Sequence, residues 1–89
     1  MQIREIVVVN PLGLHMRACA RIVELASRFR CNVSFVIGSR RASARSIVAM
    51  MLLAAAVGTT LRVETEGPDE SAAMTAMVKL IAGGLGERS

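Results

Sequence analysis

The spacing of hydrophobic residues along the chain switches between a strand-like and a helical pattern, and each switch marks the start of a new predicted element. Residues 3–9 are rich in β-branched side chains, which predicts a strand. A turn signal over residues 10–13 ends this strand. Between residues 16 and 29 the apolar positions follow helical spacing and the charged residues occupy the other face, which predicts an amphipathic helix. Residues 33–37 then alternate between apolar and polar, as expected for a half-buried strand.

The second half of the chain continues in the same way. Residues 38–40 form a turn signal before a short strand over 41–44, and a second helix is predicted from residue 47 to about residue 54. Residues 60–66 alternate again and predict a further strand. The segment 67–69 breaks that strand and starts a last helix. The apolar side of this helix comprises Ala73, Met74, Met77, Leu80 and Ile81.

The order of these elements predicts an α+β fold. Helices on one face of a sheet bury one side of each strand. Strands that alternate between apolar and polar residues fit an antiparallel sheet whose other face is exposed to solvent. The 89 residues form one predicted domain, residues 1–89, without a linker segment. Because 53% of the residues are hydrophobic, a disordered chain is not expected.

Several classes of protein do not fit the composition. Cys19 and Cys31 lack a CxxC spacing and a surrounding cluster of His or carboxylate residues, so we predict no metal and no cofactor, and favour two buried free thiols. Charged residues near the N-terminus argue against a secretion signal. The longest apolar run, residues 47–57, is far shorter than the ~20 residues of a membrane span. We expect a cytoplasmic monomer that does not bind a membrane.

The formal net charge of +4 raises the question of a nucleic-acid partner. However, the arginines are scattered along the sequence, and the only aromatic residues are Phe29 and Phe35, so side chains that could stack on bases are nearly absent. A basic surface for an acidic protein partner explains the charge equally well. We therefore expect no nucleic-acid partner and keep a small basic nucleic-acid-binding module as a minor alternative.

The single histidine, His15, stands directly before the first predicted helix. The free backbone N–H groups and the macrodipole at such a position favour an anion. Imidazole titrates near neutrality, so it can act as an unprotonated nucleophile, and Arg17 is close enough to bind phosphate oxygens. Position and residue type alone also fit a plain surface histidine or a weak helix cap.

Five segments of the chain follow the pattern of one known family. Residues 10–17 read NPLGLHMR, residues 25–29 read LASRF and residues 44–47 read ARSI. Residues 64–67 and 84–87 read ETEG and GLGE. Together they resemble the HPr family, the histidine phosphocarriers of bacterial phosphoenolpyruvate-dependent phosphotransferase systems. The resemblance covers essentially the whole chain and needs no gap.

This resemblance implies an open-faced β-sandwich, with a four-stranded antiparallel sheet and three helices on one face. Enzyme I, phosphorylated from phosphoenolpyruvate, would donate a phosphoryl group to Nδ1 of His15, and an Enzyme IIA component would receive it. The chain would be a carrier with a covalent phosphohistidine rather than a stand-alone enzyme. Arg17 would stabilise the phosphate. Ser46 would be the target of an HPr kinase/phosphorylase in bacteria that have one.

The second predicted helix carries two further candidates. Ser46 is a good N-cap, which alone would explain a serine at this position. The helix is apolar almost all round, as expected for a deeply buried helix or for one that also forms a docking face. Because Met-rich surfaces suit several partners, we predict a docking patch beside His15. Its residues would be Ile47, Met50, Met51 and Leu53. The alternative, in which all of them are core residues, stays open.

The chain departs from the family pattern in its alanines. Ala18 stands where the family usually has proline, which suits the first turn of a helix, so we expect a working site with a looser first turn. Ala49 and residues 54–56 stand where glycines are usual, which would stiffen or extend the second helix. A regulatory relative controlled by Ser46, which docks without relaying phosphate, is the other candidate; such relatives usually lack the histidine found here.

Overall fold

A four-stranded antiparallel sheet carries three helices on one face, so the predicted α+β fold is confirmed. The computed structural model describes residues 1–86; Glu87, the last residue of the segment 84–87, lies outside this range. The strands are β1 (Gln2–Val7), β2 (Asn32–Ile37), β3 (Arg40–Ser43) and β4 (Thr60–Glu66). The helices are α1 (Met16–Ala26), α2 (Ile47–Leu52) and α3 (Glu70–Ala82).

The strand order β1-β4-β2-β3 places the two halves of the chain in one sheet. Phe35 of β2 lies opposite Val63 of β4 on one side and Ala42 of β3 on the other. Ile6 of β1 lies opposite Leu61 on the same buried face of the sheet. Because side chains alternate along a strand, the neighbouring positions form the open face of the sheet.

The core lies between the sheet and the helices. Helix α3 packs on β1 and β4, and α1 packs on both other helices. The predicted apolar side of α3 is buried, except that Leu80 is only partly covered. Cys19 and Cys31 are buried free thiols, as predicted, and burial raises the pKa of both. No helix within residues 1–86 has the length and apolar character needed to cross a membrane.

Two helices end earlier than the sequence predicts, and each end has a local cause. Helix α1 ends at Ala26 because the chain then tightens into turns, in which the Arg28 and Phe29 amides donate to the carbonyls three residues earlier, at 3.1 and 3.2 Å. Helix α2 ends at Leu52 and is not extended by the alanines that follow. Ala54 adopts a left-handed conformation with φ 54°, which terminates the helix.

The loop before α1 is fixed on the turn that follows α2. The Leu14 amide donates a hydrogen bond of 2.9 Å to the Ala55 carbonyl. Gly13, with φ 65°, lies so close to this carbonyl that a Cβ atom would clash with it. The Asn10 side-chain amide donates a hydrogen bond of 2.6 Å to the Gly13 carbonyl. The position of His15 is therefore set by backbone contacts across the fold.

We predict that Gly13→Ala destabilises the domain far more than Gly38→Ala. Both glycines have positive φ, 65° and 59°, and a Cβ at Gly38 meets no heavy atom within 4 Å. Gly38→Ala should therefore cost only the left-handed backbone, about 1 kcal/mol. Gly13→Ala adds the clash with Ala55 and should cost about 3 kcal/mol in total. Urea unfolding of both variants measures the difference, and equal losses would contradict the close approach.

Candidate functional site

His15 is the N-cap residue of α1, as the sequence predicts. Its backbone is extended, with φ −81° and ψ 176°, and its carbonyl accepts the Cys19 amide at 2.9 Å. The imidazole folds back over the helix start, where Nδ1 accepts a hydrogen bond of 3.3 Å from the Arg17 backbone amide. The residue is half-buried, so part of its surface stays accessible to solvent.

The hydrogen bond from the Arg17 amide orients the His15 ring. A nitrogen that accepts an N–H bond does so with its lone pair, so a neutral ring in this arrangement carries its proton on Nε2. The lone pair of Nδ1 faces the first turn of α1, where backbone amides lack helical partners. Within the described residues, the first turn of α1 contains no acidic residue. No carboxylate in this turn therefore offsets the positive end of the helix dipole. An electrophile that reacts at Nδ1 would leave its anionic group beside these amides.

The side chains around His15 combine one cation with exposed apolar groups. Arg17 is exposed and lines a shallow depression with Leu12, His15, Met16 and Ala20. Leu12 and Met16 expose 71% and 64% of their surfaces. Within residues 1–86, no three His, Cys, Asp or Glu side chains are arranged to bind a metal. The site therefore offers a nucleophilic nitrogen, an anion-binding helix start and an apolar rim.

Ser46 is the N-cap residue of α2, so the predicted capping role is confirmed. Its hydroxyl oxygen accepts the Ala49 amide at 3.1 Å, and its backbone is extended, with φ −121° and ψ 109°. The Ser46 carbonyl accepts the Met50 amide at 3.1 Å, which completes the first turn. Helix α2 packs against α1, so the serine and the histidine begin neighbouring helices.

Two of the four residues predicted for the docking patch are buried, so the prediction is wrong for these two. Met50 is completely buried and Leu53 is 3% exposed, so both belong to the core and cannot form a docking surface. Ile47 is half-buried, and Met51 is 40% exposed. The side chains of α2 that do face solvent are Val48 and Leu52, at 68% and 72%, together with Met51. We call these three residues the apolar face of α2.

Helical spacing would have separated these two groups. Met50 and Leu53 are three residues apart and share the side that faces the core, whereas Val48, Met51 and Leu52 share the opposite side at spacings of three and four. The sequence did not reveal which side is buried, because both sides are apolar. The tertiary contacts of α2 with α1 and β3 decide this.

Two arginines near the site bind backbone carbonyls, which sequence reasoning missed. Arg45 donates to the carbonyls of Phe29 and Cys31, at 3.3 and 3.0 Å, and so holds the connection between α1 and β2. Arg40 donates to the carbonyls of Leu52 and Leu53, at 3.4 and 3.1 Å. The partners are 12 to 16 residues away along the chain, so local patterns do not indicate them.

The chain is similar to known proteins in both sequence and fold. Residues 3–83 match the family described as "PTS HPr component phosphorylation site". The chain is 44% identical over 84 residues to the phosphocarrier protein HPr of Cupriavidus necator, and the match covers 94% of each chain. The crystal structure of HPr-C-His from Thermoanaerobacter tengcongensis has a TM-score of 0.94 and 32% identity, with 100% of both chains covered. HPr from Bacillus anthracis has a TM-score of 0.85 and 28% identity, over 90% of this chain and 95% of that one. The chain therefore belongs to the HPr family, the phosphocarrier proteins of the phosphotransferase system.

Proposed function

We propose that His15 accepts the phosphoryl group from phosphorylated Enzyme I and donates it to an Enzyme IIA component. The observation that carries this proposal is the bond from the Arg17 amide to Nδ1, which keeps a lone pair on Nδ1 at the start of α1. Membership of the HPr family supports a phosphocarrier role, and the geometry supports this nitrogen as the acceptor. The same chemistry serves a sugar-uptake branch and a regulatory, nitrogen-type branch.

The transfer exchanges one bond to phosphorus for another. The Nδ1 lone pair of His15 attacks the phosphorus atom of the phosphoryl group on Enzyme I, and the bond between phosphorus and the donor atom of Enzyme I breaks. The donor atom keeps the electron pair of the broken bond, and Nε2 of His15 keeps its proton. Transfer to an Enzyme IIA component repeats the exchange with His15 as the donor.

The start of α1 stabilises the bound phosphoryl group. Once Nδ1 carries phosphorus, the Arg17 amide can no longer donate to this nitrogen and donates to a phosphate oxygen instead. The exposed Arg17 guanidinium adds charge-assisted hydrogen bonds. Since phosphoryl transfer depends mainly on positioning and charge stabilisation, these groups supply most of what the carrier contributes.

The surroundings of His15 suit docking to acidic proteins with an apolar patch. Leu12, Met16 and the apolar face of α2 provide exposed apolar surface, and Arg17 provides positive charge. Enzyme I and Enzyme IIA would dock here one after the other, as a carrier requires. We propose that the protein acts as a cytoplasmic monomer in this relay.

We predict that His15→Ala abolishes phosphoryl uptake from Enzyme I and phosphoenolpyruvate. The wild-type protein should gain phosphate that is released by acid and retained in alkali, as expected for phosphohistidine. The chain contains no other histidine that could replace His15. Uptake of radioactive phosphate measures this, with circular dichroism as the control for folding. Acid-labile label on the His15→Ala protein would contradict the assignment.

We predict that Arg17→Ala slows phosphoryl transfer roughly tenfold, because a charged group is lost from the developing phosphate. The fold should be unaffected, with a stability change within about 0.5 kcal/mol, since the side chain is exposed. Arg28→Ala is the matched control, because it removes the same charge from an exposed side chain beyond the end of α1. Equal transfer rates for the two variants would remove Arg17 from the site.

Ser46 supports a second candidate function, regulation of docking by an HPr kinase/phosphorylase. A phosphate on the cap of α2 adds up to about −2 charge beside the apolar face of α2. The helix start tolerates this charge, whereas an apolar contact with an acidic partner does not, because the partner meets an unpaired anion at the rim. Regulation would therefore leave the fold intact and weaken phosphotransfer.

We predict that Ser46→Asp keeps the fold and slows phosphoryl uptake from Enzyme I. Asp caps a helix as well as Ser does, so a purely structural serine would give wild-type uptake. Ser71→Asp is the control: it adds the same charge to the first turn of α3, beside Gln2 at the far end of β1 from the His15 loop. Melting temperature and uptake rate are measured for both variants. Slower uptake for Ser46→Asp alone supports regulation, and equal uptake leaves Ser46 as a cap.

A further inference from the structure

We propose that Arg40 is a positioning residue for His15, although it lies at the start of β3 and outside the site. Arg40 holds the end of α2, the end of α2 fixes the turn at Ala54 and Ala55, and this turn holds the loop that carries His15. The inference rests on the proposed function of His15, since it assigns Arg40 a role in that reaction.

The first step is the contact between Arg40 and the end of α2. Its Nη1 and Nη2 atoms donate to the carbonyls of Leu52 and Leu53, at 3.4 and 3.1 Å. The last carbonyls of a helix have no partner within the helix. Helix α2 has six residues, and its own last turn contains no basic residue. The arginine of the neighbouring strand supplies both the charge and the donors.

The second step is the strained turn that follows these carbonyls. Ala54 has φ 54°, in the left-handed region that alanine rarely adopts. Its amide donates to the Met51 carbonyl at 3.0 Å. A residue in this conformation stays there only where its surroundings hold it. Arg40 binds the two carbonyls directly before Ala54 and thereby opposes a return of the turn to an unstrained conformation.

The third step joins the turn to the site. The Ala55 carbonyl accepts the Leu14 amide at 2.9 Å, and Gly13 packs directly against it. Leu14 is 5% exposed, so its side chain is also fixed in the core. Because His15 follows immediately, a shift of Ala55 moves the imidazole relative to the start of α1. A small displacement of a reacting nitrogen is costly in a reaction that depends on alignment.

Arg41 is a matched control for the charge of Arg40. It is the next residue of β3, but it pairs at 2.8 Å with Glu64 and contacts neither α2 nor the His15 loop by a hydrogen bond within the described residues. Arg41→Ala and Arg40→Ala therefore remove the same charge from neighbouring positions. A general effect of charge on docking to Enzyme I appears in both variants, whereas a positioning effect appears only in Arg40→Ala.

The experiment combines amide hydrogen exchange with phosphotransfer kinetics. We expect the Leu14 amide of Arg40→Ala to exchange roughly tenfold faster than in the wild type, while an amide of the central strand β4 reports global stability. The maximal rate of phosphoryl uptake at saturating carrier should fall roughly fivefold, with little change in KM, since docking is intact. Arg41→Ala should change neither Leu14 exchange nor the maximal rate.

A second substitution tests the role of the strained turn. Ala54→Gly removes the cost of the left-handed conformation, so the turn no longer needs Arg40 to hold it. The double variant Arg40→Ala/Ala54→Gly should regain slow Leu14 exchange and most of the maximal rate. Arg40→Lys keeps the charge but lacks the forked donors, and it should be intermediate. If Arg40→Ala does not fold, Arg40→Lys tests the same positioning role.

The outcomes separate this inference from the proposed function. Unchanged Leu14 exchange in Arg40→Ala, equal effects in Arg41→Ala, or a loss confined to KM would overturn the positioning role of Arg40. Failure of Ala54→Gly to restore the double variant would overturn the step through the turn. If the wild-type protein takes up no acid-labile phosphate, the proposed function fails, and Leu14 exchange still decides whether Arg40 holds the His15 loop.

Discussion

The hydrogen bond from the Leu14 amide to the Ala55 carbonyl joins the two loops that hold His15 in place. On one side lies the loop that presents His15 to the start of α1, and on the other lies the turn that returns the chain to the central strand β4. Gly13 permits this close contact, because a side chain at this position would clash with the Ala55 carbonyl. The accessible imidazole is therefore held by a buried backbone contact, and the sheet serves as its rigid support.

The sequence predicted most of this structure because the relevant signals are local. Alternating apolar residues revealed β2 and β4, β-branched residues revealed β1, and the residues His15 and Ser46 marked where two helices begin. The helix ends were harder to predict, because they depend on the tight turns after Ala26 and on the left-handed conformation of Ala54. The docking patch was only partly predicted for a related reason. When both sides of a short helix are apolar, only tertiary packing determines which side is buried.

The positive charge of the chain also has an internal explanation that sequence patterns do not give. Arg21, Arg40 and Arg45 donate to backbone carbonyls at the ends of loops and helices, including that of Leu85 at 2.6 Å. On the open face of the sheet, the carboxylate of Glu64 is buried and shared by two further arginines. Much of the basic composition thus stabilises the fold itself, and a nucleic-acid footprint is not needed to explain it.

One feature of the core bears on the conditions under which the carrier can work. Cys19 lies one helical turn after His15, and its thiol donates to the Leu14 carbonyl at 3.5 Å, directly behind the site. An oxidised sulfur at this position would add bulk beneath the loop. However, Cys19 is completely buried, and burial raises its pKa, so the reactive thiolate is both scarce and out of reach of solvent oxidants. Burial thereby protects the sulfur atom behind His15 from oxidation, whereas the thioethers of Met16 and Met51 stay exposed to oxidants.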